Sequence, residues 1–238
     1  QGNSSKVFLV DEPVVETYSL LEQLAKPYAH RIFYGDAIFE DGDVLVGGKR
    51  IKSDYFVLTA GNGNQDLAGK LGIEEVVMQR RPLRQVTVSG NLPSLFAHCI
   101  DGGVPSVSIT SHYHRESDIV TWNIGGKVAE EGFKIGREEL IRKTRAKLEG
   151  LLPNTDFSDA KWDTFDIDRA EGVTADGKRP ATANVRRIGN VLVCYPTKLA
   201  LAPILAEKIE KELNLTRVKG SVKSNEGLSV KVARAPWE

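Results

Sequence analysis

Apolar residues in this chain come in short runs broken by glycine and aspartate, the punctuation of β-rich structure. "KVFLV" (6–10) reads as a strand. "ETYSLLEQLAKPY" (16–28) has the spacing of an amphipathic helix, with Ser19 and Glu22 placed as a capping box and Pro27 as a stop. "RIFYGDAIFE", "DVLVGG" and "KRIKSDYFVLTAG" then alternate around Asp41-Gly42 and Gly47-Gly48, which predicts a three-stranded β-meander. "RQVTVSG", "LFAHCI", "SVSITSHYH" and "DIVTWNIGG", between 84 and 126, predict an antiparallel sheet. "GREELIRKTRAKLEGLLP" (136–153) is the clearest helix, with Leu140, Ile141, Thr144, Leu148, Leu151 and Leu152 on one face. A strand, "NVLVCY" (190–195), and a helix, "LALAPILAEKIEKEL" (199–213), follow. The polar tail (219–238) carries one terminal strand at most.

Composition changes this picture little. Of 238 residues, 41% are hydrophobic and 27% charged, and 32 basic side chains balance 32 acidic ones, so nothing points to nucleic acid. Cys99 and Cys194 stand far apart, which fits a reducing, cytoplasmic setting and no disulfide framework or structural zinc. No apolar run approaches a membrane span, and "QGNSSKVFLV" lacks the features of a signal peptide. No GxSxG elbow, P-loop or HExxH is present, which leaves hydrolase and kinase readings without support.

"YFVLTAGNGNQDLAGKLG" (55–72) has the punctuation of a dinucleotide-binding turn. The fingerprint needs a third glycine where helix and strand pack closely, and here that position is Asp66, an anion at a pyrophosphate site. The stretch is therefore not a standalone Rossmann fingerprint.

Taken with its neighbours it resembles another part of a flavoenzyme. In the D-amino-acid oxidase and glycine oxidase superfamily a meander strand ends in a similar "VVLAAG", followed by a short helix and an Arg-Pro segment. This chain has "YFVLTAG" (55–61) and then "QRRPLRQVTV" (79–88). "TWNIGGKVAEEG", "DRAEGVTADGKRP" (168–180) and "GNVLVCYPTKLALAP" (189–203) resemble later family segments in the family order. The resemblance spans 7 to 213 and lacks the opening GxGxxG segment. It implies the C-terminal portion of an FAD-dependent oxidoreductase, inactive alone, acting on a small-molecule amine or amino acid by hydride transfer to flavin. The implied architecture is mixed, α+β with α/β character. A partial FAD-binding, Rossmann-like domain with a β-meander occupies 1–77, an antiparallel-sheet substrate domain 78–181, the closing strand and helix of the FAD domain 182–218, and a tail 219–238. A missing N-terminal segment or a homo-oligomer would complete the site. The alternative is a non-catalytic ligand-binding or interaction module that kept the substrate-domain fold.

The resemblance also nominates residues. Arg169 matches the guanidinium that forks onto a substrate carboxylate; its other reading is an ion pair with Asp166, Asp168 or Glu171. Thr59, Ala60 and Gly61 close the strand near the cofactor's phosphates. Thr197, Lys198 and Leu199 replace a Gly- and His-rich loop at the flavin's pyrimidine edge, where Lys198 would balance negative charge on the reduced ring. Trp122 is placed either in a substrate pocket or, as strand aromatics commonly are, in the core. Arg80, Arg81 and Arg84 form a basic knot, with inter-domain salt bridging expected of the last two. His98, His112 and His114 read as ordinary strand polar residues and not as metal ligands, since no suitable third ligand is evident. No catalytic side chain and no metal site is nominated.

Overall fold

The computed structural model describes residues 7–75, 77–114, 117–215 and 230–236. The chain divides into two compact units, one made of 1–32 with 221–238 and the other of 33–220.

In the first unit the expected helix is present as α1 (Thr17–Ala25), running into a 3-10 turn, Lys26–Arg31, that contains Pro27. Its cap differs from the expected capping box. The Glu16 carboxylate accepts from the N–H groups of Tyr18 and Ser19, so the helix starts before Ser19, whose hydroxyl donates back to the Glu16 carbonyl. Val7–Val10 form no strand and are exposed: the run has the composition of a strand but no ladder partner among the described residues. The suggested terminal strand falls mostly outside the described residues, and 230–236 are irregular.

The second unit holds three sheets. β1 (Ala37–Glu40), β2 (Asp43–Val46) and β3 (Lys49–Ile51) form the expected antiparallel meander. Asp41-Gly42 and Gly47-Gly48 take positive φ at both positions, the turn whose twist matches a right-handed hairpin. The third run was expected to be continuous, but it divides. The polar stretch Lys52-Ser53-Asp54 leaves the meander, and β4 (Phe56–Leu58) enters a different sheet.

That sheet has the order β10 (Asn184–Ile188), β11 (Val191–Tyr195), β4, with β11 parallel to β4 and antiparallel to β10. Every residue of β11 is buried, as expected of a strand covered on both faces. On one side Val191, Val193 and Tyr195 pack with Phe56, Leu58 and Ala68, the last from α2 (Asn64–Lys70). On the other, Leu192 and Cys194 pack with Leu205 of α5 (Ala202–Glu212). The helix expected from 199 begins as a 3-10 turn, Leu199–Leu201, and becomes α-helical at Ala202, which puts Pro203 in the first turn where its missing N–H does no harm.

The five-stranded antiparallel sheet has the order β6 (Phe96–Asp101), β7 (Val104–Tyr113), β8 (Val120–Gly125), β5 (Met78–Gly90), β9 (Lys161–Gly172). Its apolar face, with Val86, Val88, Val107, Ile109, Trp122 and Ile124, is covered by Leu140 and Leu148 of α4 (Arg137–Leu151). Leu151 is exposed and does not join that stripe. Between β8 and α4 lies a short helix absent from the sequence reading, α3 (Lys127–Gly132). It is entered through Gly126 at φ 81°, where a Cβ would stand 2.8 Å from the Pro105 carbonyl oxygen. β9 is the edge strand and pairs with β5 from Met78 opposite Gly172 to Ser89 opposite Lys161. Pro82 is tolerated in β5 because β8 pairs only with 86–90, leaving one neighbour at that point.

Candidate functional site

A groove of about 350 Å³ lies where the C-terminal ends of β4 and β11 meet the edge of β9. It is small for a ligand site but within the usual range. Thr59 and Gly61 border it from β4, Asp168 to Glu171 from β9, and Cys194 to Leu199 from β11 and the loop beyond. Residues nominated from distant parts of the sequence (Thr59, Gly61, Arg169, Thr197, Lys198 and Leu199) thus converge on one surface, and Ala60 adjoins it.

Two asparagines that the sequence reading did not single out build the β4 side. Asn64, wholly buried at the start of α2, accepts from the Ala60 N–H at 2.7 Å and donates to the Cys194 carbonyl at 3.1 Å. One side chain thereby ties the end of β4 to the end of β11. Asn62 donates to the Asp168 carbonyl at 3.1 Å and ties the same turn to β9. Gly61 supplies φ 56° at the bend. On the other wall Thr197 has φ 65°, a conformation that a β-branched residue adopts only under constraint and that clusters at binding sites. Its hydroxyl donates to the Thr182 carbonyl at 3.1 Å.

The charges divide into held and available. Arg81 grips Glu171 with two bonds, at 2.6 and 2.8 Å, and the carboxylate is 1% exposed. Burial opposes ionisation of Glu171, but the Arg81 fork outweighs it, with help from Gln79 and Arg169, and holds the carboxyl below its usual range. Arg169 takes neither Glu171 nor the two aspartates expected as its alternative partners. Its Nη1 meets Glu130 of α3 at 3.0 Å, and its Nε donates to the Arg81 carbonyl at 3.3 Å. Lys198 and Asp168 border the groove without an ion-pair partner among the described residues. Near Lys198, no side chain caps the 3-10 turn that leads into α5, so the loop offers a cation beside a helix start. The Tyr195 hydroxyl is enclosed and makes no hydrogen bond among the described residues. Burial, eased by Asn64, raises that phenol above its usual range.

Other nominations fall elsewhere. Trp122 is fully buried in the sheet core, edge-on to Phe157 at 5.9 Å, and its indole donates to the Pro93 carbonyl at 2.8 Å. It lines no part of the groove. The period-two pattern Val120, Trp122, Ile124 puts it on the apolar face, and that was the signal for its place. Arg84 pairs with Asp166 directly across the β5–β9 ladder at 2.5 Å, so both basic-knot bridges run within one sheet and not between domains. Arg80 is exposed. His98 is bonded to Ser108 and His114 to Thr121, each at 2.8 Å. Among the described residues no group of His, Cys, Asp and Glu gathers to hold a metal, and no helix is long and apolar enough to cross a membrane.

A three-stranded α/β sheet with helices on both faces lies beside a five-stranded antiparallel sheet, with the groove at their junction. The chain shares its fold with the crystal structure of the FAD dependent oxidoreductase PA4991 from Pseudomonas aeruginosa, at TM-score 0.77 and 33% identity, over 87% of this chain and 60% of that one. In sequence it is 36% identical over 218 residues to the probable FAD-dependent oxidoreductase PA4991 of that organism, covering 88% of this chain and 56% of the relative. The chain therefore spans a little over half the length of the curated relative it matches. The crystal structure of iminodiacetate oxidase (IdaA) from Chelativorans sp. BNC1 aligns at TM-score 0.45 and 16% identity over 80% of this chain and 51% of that one, too distant to carry an argument. No protein-family model matches the chain.

Proposed function

We propose that this chain belongs to an FAD-dependent oxidoreductase that oxidises an amine or amino acid, and that the groove between β4, β9 and β11 receives the edge of the flavin. One observation carries the reading: Thr59, Gly61, Arg169 and residues 197–199 meet at a single groove, where a lysine with no ion-pair partner among the described residues lies beside an uncapped helix start. These groups suit an electron-rich, carbonyl-bearing ring edge. The relative's name supports FAD as the cofactor.

A bound flavin would supply the redox chemistry, as the hydride acceptor for the oxidation of the substrate carbon. The chain's own residues do the rest. Lys198 balances negative charge at the ring edge, Thr197 and Leu199 shape the wall that meets it, and Asn64 fixes the spacing between the two walls. Arg169 holds a substrate carboxylate. The groove accounts for part of such a ligand and not all of it. Amines and amino acids, supplied with FAD and an artificial electron acceptor to the full-length protein that contains this chain, test the reading. Turnover of amino acids that is lost in Arg169→Gln is expected; turnover unchanged in that variant refutes the role of Arg169, and indifference to every amine and amino acid refutes the substrate class.

A further inference from the structure

Arg81 and Arg169 stand directly opposite each other in the β5–β9 ladder. Two cations so placed repel, and the fold answers with two glutamates held in different ways. Glu171 is buried and gripped by both arms of Arg81. The Glu130 side chain makes one ion pair among the described residues, to a single nitrogen of Arg169, and is 55% exposed. Arg169 itself borders the groove at 26% exposure, and its direction does not depend on Glu130, because its Nε is fixed on the Arg81 carbonyl and its backbone lies in the ladder. The cluster of two guanidiniums and two carboxylates is neutral. A third carboxylate arriving at Arg169 would face two anions already in place.

We infer that Glu130 is a resident competitor for Arg169: an incoming carboxylate takes the guanidinium by displacing Glu130 into water, so that Glu130 sets the affinity threshold for carboxylate-bearing ligands. This rests on the reading of Arg169 as the carboxylate receiver. The exchange conserves charge in the cluster. It also gives a role to the ion pair that the groove arginine makes with the exposed glutamate and not with the buried one. A ligand with an amine but no carboxylate has nothing to exchange and gains nothing from the site.

The test is a titration of the purified chain with sodium acetate at constant ionic strength, following the side-chain Nε–H signal of Arg169 by NMR. Ammonium chloride serves as the carboxylate-free control. An exposed ion pair of this kind is worth little, so Glu130→Gln should tighten acetate binding about two- to fivefold. Glu130→Asp, which keeps the charge, should bind within about twofold of the wild type. Arg169→Gln should abolish the response in either background, followed there on neighbouring backbone amides, with far-UV circular dichroism confirming that each variant is folded. Acetate binding that is unchanged or weaker in Glu130→Gln overturns the exchange and leaves the Arg169 assignment standing. If acetate moves Arg169 in none of the proteins, both fall.

Discussion

Replacing Arg81 by Met leaves Glu171 in a site where it is 1% exposed, with no cation in contact among the described residues to balance it. Breaking a fully buried pair from one side costs about 3–5 kcal/mol. Arg81 is 23% exposed, and its loss also relieves repulsion with Arg169, so the lower end, about 3 kcal/mol, is the appropriate figure. For a folded unit of this size that is a fall in Tm of about 6–12 °C. The effect has a pH signature. In the wild type the Arg81 fork outweighs burial and lowers the Glu171 pKa in the folded state, so the pair's contribution is complete above the ordinary glutamate range and is lost as pH falls through the lowered value. In Arg81→Met burial is opposed only by Gln79 and Arg169, and the balance moves toward the protonated acid. The gap between the two proteins should therefore be widest near neutrality and close as pH drops below the ordinary glutamate value of about 4.5. Thermal melts across that range read it directly, and Arg81→Met/Glu171→Met should recover most of the loss. A Tm fall under about 2 °C at neutral pH, or a gap that does not change with pH, would refute the view that this pair is a buried, structural one.

Removal of the Asn64 amide in Asn64→Ala strands the Ala60 N–H and the Cys194 carbonyl and should destabilise the chain by about 2–3 kcal/mol, measured by chemical denaturation. Trp122→Phe loses the bond to Pro93 and some core volume; it should lower stability by about 1.5–3 kcal/mol while leaving acetate binding at Arg169 unchanged, which separates core from groove.

Much of the fold was legible in the sequence because turn chemistry is local. Asp41-Gly42 and Gly47-Gly48 fixed the meander, and alternation with α4's apolar stripe placed most of the large sheet. The elements missed were those stabilised from outside their own segment. β9 carries Asp163, Asp166 and Asp168, poor strand formers, and its place in the ladder is secured by β5, where Arg84 meets Asp166. β10 needs its hairpin with β11. α3 is too short for a periodic signal and depends on Gly126. The run 6–10 failed in the opposite sense: local composition favoured a strand, but pairing is not a local property. In the groove, the nominated loops came from resemblance. The residues that connect them, Asn62 and Asn64, act over 106 and 130 positions of sequence, which no spacing rule reports. Glu130 was equally hidden, since its partner lies 39 residues away.

We propose that the groove holding Thr59, Gly61 and Lys198 receives a flavin. The most direct measurement is the quenching of FAD fluorescence on titration with the chain, run in parallel with Lys198→Ala. Saturable quenching is expected in the wild type and affinity about two- to tenfold weaker in the variant, with unchanged thermal stability, because Lys198 carries no ion pair among the described residues. Quenching that does not saturate, or identical curves for the two proteins, would contradict it.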